Sequence, residues 1–378
     1  MKVYYRAIKD RIKDAILRSD KVILLYGARQ TGKTTLIKGI LQELSLHSLF
    51  INADELRYID VLSSRDLNKM KLLVKGYDLL FIDEAQRVPE IGINIKILHD
   101  TLPDLKIILT GSSSLELANQ TKEPLTGRLD SYILYPMAWM ELNQHYNAFD
   151  LSSNIEEFLM YGSYPETLQI DNGTRKQKYL LELSSSYLFK DILELSSIRH
   201  SRKILDLLRM LAFQTGSQVS MTEIGNSLGM SKDTVSTYID LLEKSFVLFR
   251  LSGFNRNLRK EVTKMDKFYF YDLGIRNALI NNFNPLSLRN DHGALWENYL
   301  IMERVKRAAY LQQFTNFYFW RTYSGAELDL VEERDGNLFA FEIKFGEKEP
   351  KVPVSWKNTY PDANYQYINS QNFMDFIG

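Results

Sequence analysis

The chain has 378 residues, with 47 Lys and Arg against 47 Asp and Glu, so its formal net charge is zero. At 45% hydrophobic and 25% charged residues it has the balance of an ordinary globular protein, long enough for several domains with separate cores. That balance excludes a uniformly basic, histone-like protein, and the absence of cysteine excludes disulfides, thiolate metal sites and cysteine nucleophiles.

Residues 1–10 are charged and hold no apolar h-region, so a signal peptide is not expected. No apolar run reaches the roughly 18 residues of a spanning helix. The expectation is a cytoplasmic protein without a membrane partner.

Residues 1–150 alternate short apolar strands (22–26, 48–52, 79–83 and 106–110) with helical stretches. Unbroken apolar strands separated by helices predict a parallel sheet covered on both faces. Residues 151–200 read as helical, ending in Y-L-F-K-D-I-L-E-L. Residues 201–290 read as helices and a turn, followed by the strand-like runs 246–251 and 267–271. From 291 come the helix A-L-W-E-N-Y-L-I-M-E-R and the strands F-Y-F-W, L-D-L-V and L-F-A-F-E-I-K.

The segment G-A-R-Q-T-G-K-T follows the first strand and fits G-x-x-x-x-G-K-[ST]. Gly27 and Gly32 would let the backbone turn so that the N–H groups of Ala28, Arg29, Gln30 and Thr31 face phosphates at a helix N-terminus. Lys33 would reach the β and γ phosphates of ATP, Thr34 would hold Mg²⁺, and Thr35 follows in the same turn. L-L-F-I-D-E ends a later apolar strand in two carboxylates, so that Asp83 would support Mg²⁺ through water and Glu84 would activate the attacking water. The next strand ends in G-S-S-S, where Ser112, Ser113 or Ser114 would sense the γ-phosphate. Arg128, in L-T-G-R-L, is the candidate for a charge-stabilising arginine acting in cis or from a neighbouring subunit.

The strings Y-G-A-R-Q-T-G-K-T-T-L, F-I-D-E-A-Q-R-V-P, L-T-G-S-S-S, L-T-G-R-L and Y-I-L-Y-P-M resemble the prokaryotic AAA-type ATPases that carry a C-terminal domain of unknown function. The similarity continues through Y-G-S-Y-P-E at 161–166 and Y-L-F-K-D-I at 187–192. It implies an ATPase core, a winged helix and a nuclease-like end, in that order.

The stretch 221–243 reads as a helix-turn-helix. Ser220 and Glu223 can form a capping box, Gly229 marks the turn, and Ser231 starts a second helix with Val235, Ile239 and Leu242 facing the core. Its exposed face offers Lys232, Ser236 and Thr237, and the following loop supplies Arg256, Arg259, Lys260, Lys264 and Lys267. Over 199–276 there are 13 Lys and Arg against 8 Asp and Glu, a surplus suited to DNA phosphates rather than to base readout.

In the C-terminal part, Glu297 falls on the predicted helix, Asp329 on one strand, and Glu342 and Lys344 on the next. On an extended strand 342 and 344 point the same way while Phe341, Ile343 and Phe345 face the core. Carboxylates so gathered suit Mg²⁺, with the lysine positioning water for attack on a phosphodiester. This order is similar to the PD-(D/E)XK nucleases. The resemblance implies a metal site of Glu297, Asp329 and Glu342, with Asp329, Glu342 and Lys344 catalytic. The histidines show no metal-ligand spacing.

The fold class expected is α/β: a P-loop NTPase parallel sheet with a helical lid, followed by a winged helix and a small α/β nuclease-like domain. The segments are 1–150, 151–200, 201–290 and 291–378. The expected function is ATP hydrolysis with Mg²⁺ coupled to DNA binding or processing, with a homo-oligomer or partner protein as a further candidate. The alternative is a nucleotide-controlled switch whose C-terminal domain is catalytically inert.

Overall fold

Aliphatic runs bounded by polar turns become buried strands wherever helices cover both faces. The computed structural model describes residues 3–111, 121, 124–194, 201–255, 265–346 and 350–378. Its residues fall into two units, one of 5–136 with 244–246, the other of 1–4, 137–243 and 247–378.

The first unit runs α1 (Lys9–Arg18), β1 (Val22–Tyr26), α2 (Lys33–Glu43), β2 (Ser48–Asn52), α3 (Leu56–Leu62) and α4 (Leu67–Leu73). It continues with β3 (Leu79–Asp83), α5 (Ile91–Thr101), β4 (Lys106–Gly111) and β5 (Leu129–Ile133). The five strands lie in the order β2-β3-β4-β1-β5, every pairing parallel. Strands β1 and β3 are buried at every residue, as their unbroken apolar sequences predict. Helices α1 and α2 turn Ile12, Ile16, Leu36, Ile37 and Ile40 inward. Strand β5 was not among the expected strands; it is a half-exposed edge strand, L-D-S-Y-I, with no apolar run to announce it.

The second unit opens with short helices α6 (Trp139–Leu142), α7 (Ala148–Ser153) and α8 (Ile155–Tyr161), then the long α9 (Gly173–Glu194) and α10 (Ser201–Phe213). Next come β6 (Gln218–Val219), α11 (Met221–Leu228), α12 (Lys232–Lys244), β7 (Leu248–Gly253), β8 (Asp266–Phe270) and α13 (Leu273–Leu279). The chain ends α14 (His292–Tyr310), β9 (Asn316–Arg321), β10 (Glu327–Arg334), β11 (Asn337–Ile343), α15 (Val354–Thr359), β12 (Asn364–Ile368) and α16 (Phe373–Ile377).

Seven strands of this unit form one sheet, β12-β11-β10-β9-β7-β8-β6. Ser252 and Gly253 of β7 pair in parallel with Tyr318 and Phe319 of β9, so strands from 201–290 and 291–378 share a single layer. Helix α14 packs on that layer through Leu295, Trp296, Tyr299 and Leu300. Its Asn298 side chain accepts the Phe270 N–H and donates to the Phe270 carbonyl, both at 2.8 Å. Farther along, the Arg304 guanidinium bonds Glu332 of β10 at 2.7 and 2.6 Å, and the Phe376 carbonyl at 2.7 Å. These bonds leave α14 little freedom to slide, which places Glu297 over β8 and β10.

Helices α11 and α12 fall within the stretch 221–244, joined by a short turn. The Ser220 hydroxyl accepts the Glu223 N–H at 3.3 Å, Gly229 closes α11 in the left-handed region, and Ser231 caps α12 through the Thr234 N–H. Val235, Ile239 and Leu242 are buried, while Lys232 and Thr237 are exposed.

Candidate functional site

In the first unit, the loop between β1 and α2 is fixed by its glycines. Gly27 has φ +151°, and a β-carbon there would stand 2.2 Å from the Leu134 carbonyl oxygen, so only glycine fits. Gly32, at φ +94°, turns the chain into α2. Between them Thr31 is fully buried and its hydroxyl donates to the Ala28 carbonyl at 2.9 Å. Arg29 is partly exposed, and Gln30 and Thr35 are exposed.

Lys33 is 6% exposed, and its ammonium donates to the Gly27 and Ala28 carbonyls at 2.9 and 2.8 Å. It therefore lies within the loop whose amides the sequence assigns to phosphates. Thr34 donates its hydroxyl to Asp83 Oδ2 at 2.8 Å. This brings the last hydroxyl of the loop motif onto the carboxylate at the end of β3, the donor set that suits Mg²⁺.

Glu84 follows in the left-handed region, φ 54°, and its carboxylate accepts the Gln86 side-chain amide at 2.5 Å. Strand β4 adds a residue that the sequence reading missed: the buried Thr110 hydroxyl donates to Asp83 Oδ1. Its only signal was a polar residue at the end of K-I-I-L-T. The serines expected to sense the γ-phosphate, Ser112, Ser113 and Ser114, lie outside the described residues.

Arg6 was missed as well, having no motif around it. Its guanidinium, 5% exposed, donates to the Thr31 carbonyl at 2.7 Å and to the Tyr135 carbonyl at 2.6 Å. It braces the phosphate loop against the segment after β5.

Arg128 is placed otherwise than expected. It precedes β5, whose Leu129 pairs with Val22, the first residue of β1, whereas the loop leaves from Tyr26, the last. In a parallel sheet those are opposite ends, and four residues of strand separate them by about 13 Å. Its guanidinium pairs with Asp100 at 2.7 Å. A cis contact between Arg128 and phosphates at this loop does not fit that geometry.

In the second unit, the register that pairs Leu330 with Phe341 sets Asp329 beside Glu342. Lys344 bridges them, its ammonium 2.8 Å from Asp329 Oδ2 and 2.8 Å from Glu342 Oε1. Asp329 Oδ2 also accepts the Ile343 N–H at 2.8 Å. Phe341 and Ile343 face the core as expected, but Phe345, beyond the end of β11, is 37% exposed.

Glu297 meets a different lysine. Lys267 of β8 stands 3.4 Å from Glu297 Oε1 and 2.7 Å from Glu327 Oε1, and the Tyr269 hydroxyl donates to Glu297 at 2.6 Å. Lys267 was expected among the phosphate-contacting residues, yet it is 2% exposed. It is buried on β8 between β7 and β6 with acids on the neighbouring elements, so it cannot reach DNA. Arg256, Arg259, Lys260 and Lys264 lie outside the described residues.

Burial pushes the Glu297 carboxyl up to about 7, against the pull of Lys267 and with Asp329 adding to the rise. Burial opposes the Lys344 ammonium, yet Asp329 and Glu342 outweigh it and raise its pKa. Among the described residues, no group of three or more His, Asp or Glu side chains is gathered closely enough to hold a metal ion.

A parallel five-stranded sheet with a glycine-lined loop after β1 and an acidic end to β3 defines the P-loop nucleotide-binding class. Within that class, residues 19–143 match the family model described as AAA domain. Residues 152–286 and 292–371 match two models described as domains of unknown function (DUF8612 and DUF4143). An uncharacterized protein of Mycobacterium tuberculosis is 27% identical over 337 residues, 88% of this chain and 72% of the relative. An uncharacterized protein of Methanocaldococcus jannaschii is 24% identical over 370 residues, 93% of this chain and 81% of the relative. The fold is also similar to that of a Walker-type ATPase of Pyrococcus abyssi, with a TM-score of 0.52 and 20% identity, covering 74% of this chain and 96% of that one. The part of the first unit within 19–143 is thus similar to AAA-type P-loop domains. Among the described residues no helix is long and apolar enough to cross a membrane.

Proposed function

We propose that the protein binds and hydrolyses ATP, and that its nucleotide state governs how the second unit engages DNA. The observation that carries the first half is the contact of Thr34 with Asp83 beneath a loop holding Lys33. The Thr34 hydroxyl and Asp83 carboxylate would hold Mg²⁺, which would neutralise phosphate charge. Lys33 would exchange its two loop carbonyls for phosphate oxygens. Glu84 would leave Gln86 to orient and deprotonate the attacking water.

The DNA half rests on α11 and α12, which read as a winged helix with β6, β7 and β8. Lys232 and Thr237 on the exposed face of α12, with the basic surplus of 199–276, favour contacts to phosphates rather than to base edges. The order α14, β9, β10, β11, α15, β12, with Asp329, Glu342 and Lys344 together, supports a nuclease-type fold for 291–378. Because Lys344 already bridges Asp329 and Glu342 while Lys267 holds Glu297 and Glu327, we read that fold as a scaffold that does not cleave.

The test is ATP hydrolysis with and without duplex DNA in Mg²⁺, the DNA being followed on a gel. Hydrolysis that DNA stimulates, with the strands left intact, is the expected result. A protein that binds no ATP removes the first half of the proposal, and hydrolysis indifferent to DNA removes the second.

A further inference from the structure

We infer that the acidic cluster of the seven-stranded sheet is bridged from within by two ammonium groups and holds no divalent cation, Lys267 being the group that closes it. The inference deepens the reading of this fold as a scaffold without cleavage and does not depend on ATP hydrolysis.

Four carboxylates share two lysines here: Glu297 from α14, Glu327 and Asp329 from β10, and Glu342 from β11. Each has a cation. Lys344 takes Asp329 and Glu342, and Lys267 takes Glu297 and Glu327. Arg321 adds a third positive charge 3.6 Å from Glu327. The nearer lone pairs are also in use, since Asp329 Oδ2 accepts the Ile343 N–H besides Lys344, and Glu297 Oε1 accepts the Tyr269 hydroxyl besides Lys267. Mg²⁺ would need oxygens at about 2.1 Å in octahedral array and would have to compete with these ammonium groups for the same carboxylates.

The two lysines differ in what it takes to displace them. The Lys344 side chain is 48% exposed and can swing into water. Lys267 cannot: its side chain is 3% exposed, its strand is hydrogen-bonded on both sides by β7 and β6, and its ammonium lies 5.5 Å from the centre of the Phe319 ring. Moving a buried ammonium away from its acids leaves uncompensated charge, which a weakly held cation does not offset. The lysine arrives through the parallel pairing of β7 with β9, which brings β8 within reach of α14 and β10. A short acid–lysine signature in the C-terminal segment cannot show it.

The experiment titrates the full chain, free of nucleotide, with Mn²⁺ and counts free ion by electron paramagnetic resonance, with DNA nicking followed in parallel. The wild-type protein is expected to bind no Mn²⁺ below about 1 mM, the weak end of protein carboxylate sites. Lys267→Met is expected to gain a site at least about tenfold tighter, lost again when Asp329→Asn is added. Should Lys267→Met fail to fold, the double variant Lys267→Met/Glu327→Gln removes both partners of the 2.7 Å ion pair and carries the same expectation. Wild-type Mn²⁺ binding abolished by Asp329→Asn overturns the inference. If the DNA stays intact in that case, the scaffold reading survives; nicking that Asp329→Asn abolishes removes both. Folded Lys267 variants that gain no site also overturn it.

Discussion

The Thr34 hydroxyl donates to Asp83 Oδ2 at 2.8 Å, joining the first turn of α2 to the last residue of β3. Thr110 donates to the other oxygen of the same carboxylate, so Asp83 is held from two sides. A carboxylate so held is oriented before any ligand arrives, which is the preorganisation that phosphate chemistry uses. Each part of this arrangement predicts a separable effect.

Lys33 spends two charge-assisted hydrogen bonds on loop carbonyls that ATP would take over. Lys33→Ala is expected to weaken ATP binding by at least about 10-fold, since a bond to a charged group is worth about 1.5–3 kcal/mol. Fluorescent-nucleotide titration measures this. Unaltered affinity in a folded variant would show that the loop does not use its lysine.

Glu84→Gln keeps the size and the Gln86 neighbour of the side chain but removes its basicity. Hydrolysis should fall by about 10²-fold or more while ATP binding persists, the usual contribution of a positioned base. Single-turnover rates beside equilibrium binding separate the two quantities.

Arg6→Ala leaves the buried carbonyls of Thr31 and Tyr135 without this donor. The loss should cost about 1–3 kcal/mol per carbonyl if the loop keeps its shape. A loop that relaxes would instead show the change as weaker ATP binding. Arg6→Lys, able to replace one bond, should recover part of it. Thermal melts with and without ATP distinguish stability from affinity.

Arg128→Ala should leave hydrolysis by dilute protein unchanged and lower stability by less than about 1 kcal/mol, because the Arg128–Asp100 pair is solvent-exposed. A large fall in rate at low protein concentration would contradict the placement of Arg128 away from the loop.

A pH dependence comes from the second unit. Burial pushes the Asp291 carboxyl up, but Arg289 and Arg276 outweigh burial and bring it from 3.8 down to about 2. A pKa depressed on folding gives stability that is present above about 4 and lost as pH falls toward 2. The amount is at most about 2 kcal/mol, at 1.36 kcal/mol per pH unit. Asp291→Asn should be less stable than wild type at neutral pH, and the gap should narrow by pH 3. Urea unfolding at both pH values reads the difference.

The strands of the first unit were legible because V-I-L-L-Y, L-L-F-I-D and K-I-I-L-T are apolar runs that only a covered sheet can absorb. Strand β5 and β12, N-Y-Q-Y-I, lie at sheet edges and are only partly buried, which leaves a weaker imprint. Lys33 and Thr34 could be named in advance because the loop motif encodes their spacing, and Asp83 because it ends the apolar run L-L-F-I-D. Arg6 and Thr110 could not, since their partners are chosen by the fold. Lys267 was legible as a cation but not as a buried one, because its acids lie 30 and 60 residues farther along the chain.

The string Y-G-S-Y-P-E has a structural explanation within the second unit. A β-carbon on Gly162 would stand 2.0 Å from the Asp272 carboxylate, which accepts the Ser163 N–H at 2.7 Å. Gly274 is equally confined, its would-be β-carbon 2.3 Å from the Tyr161 carbonyl oxygen. Two motifs more than a hundred residues apart therefore require each other's glycines.

The first unit borrows residues 244–246 from a distant part of the chain. The Phe246 ring lies 5.8 Å from Tyr26 and 6.4 Å from Tyr135. A fragment ending at 136 would thus be born with a hole in its aromatic wall, next to the residue from which the phosphate loop departs. Dissection by truncation at that boundary would yield a damaged part rather than an isolated one, and a weak nucleotide response from it would describe the cut and not the protein.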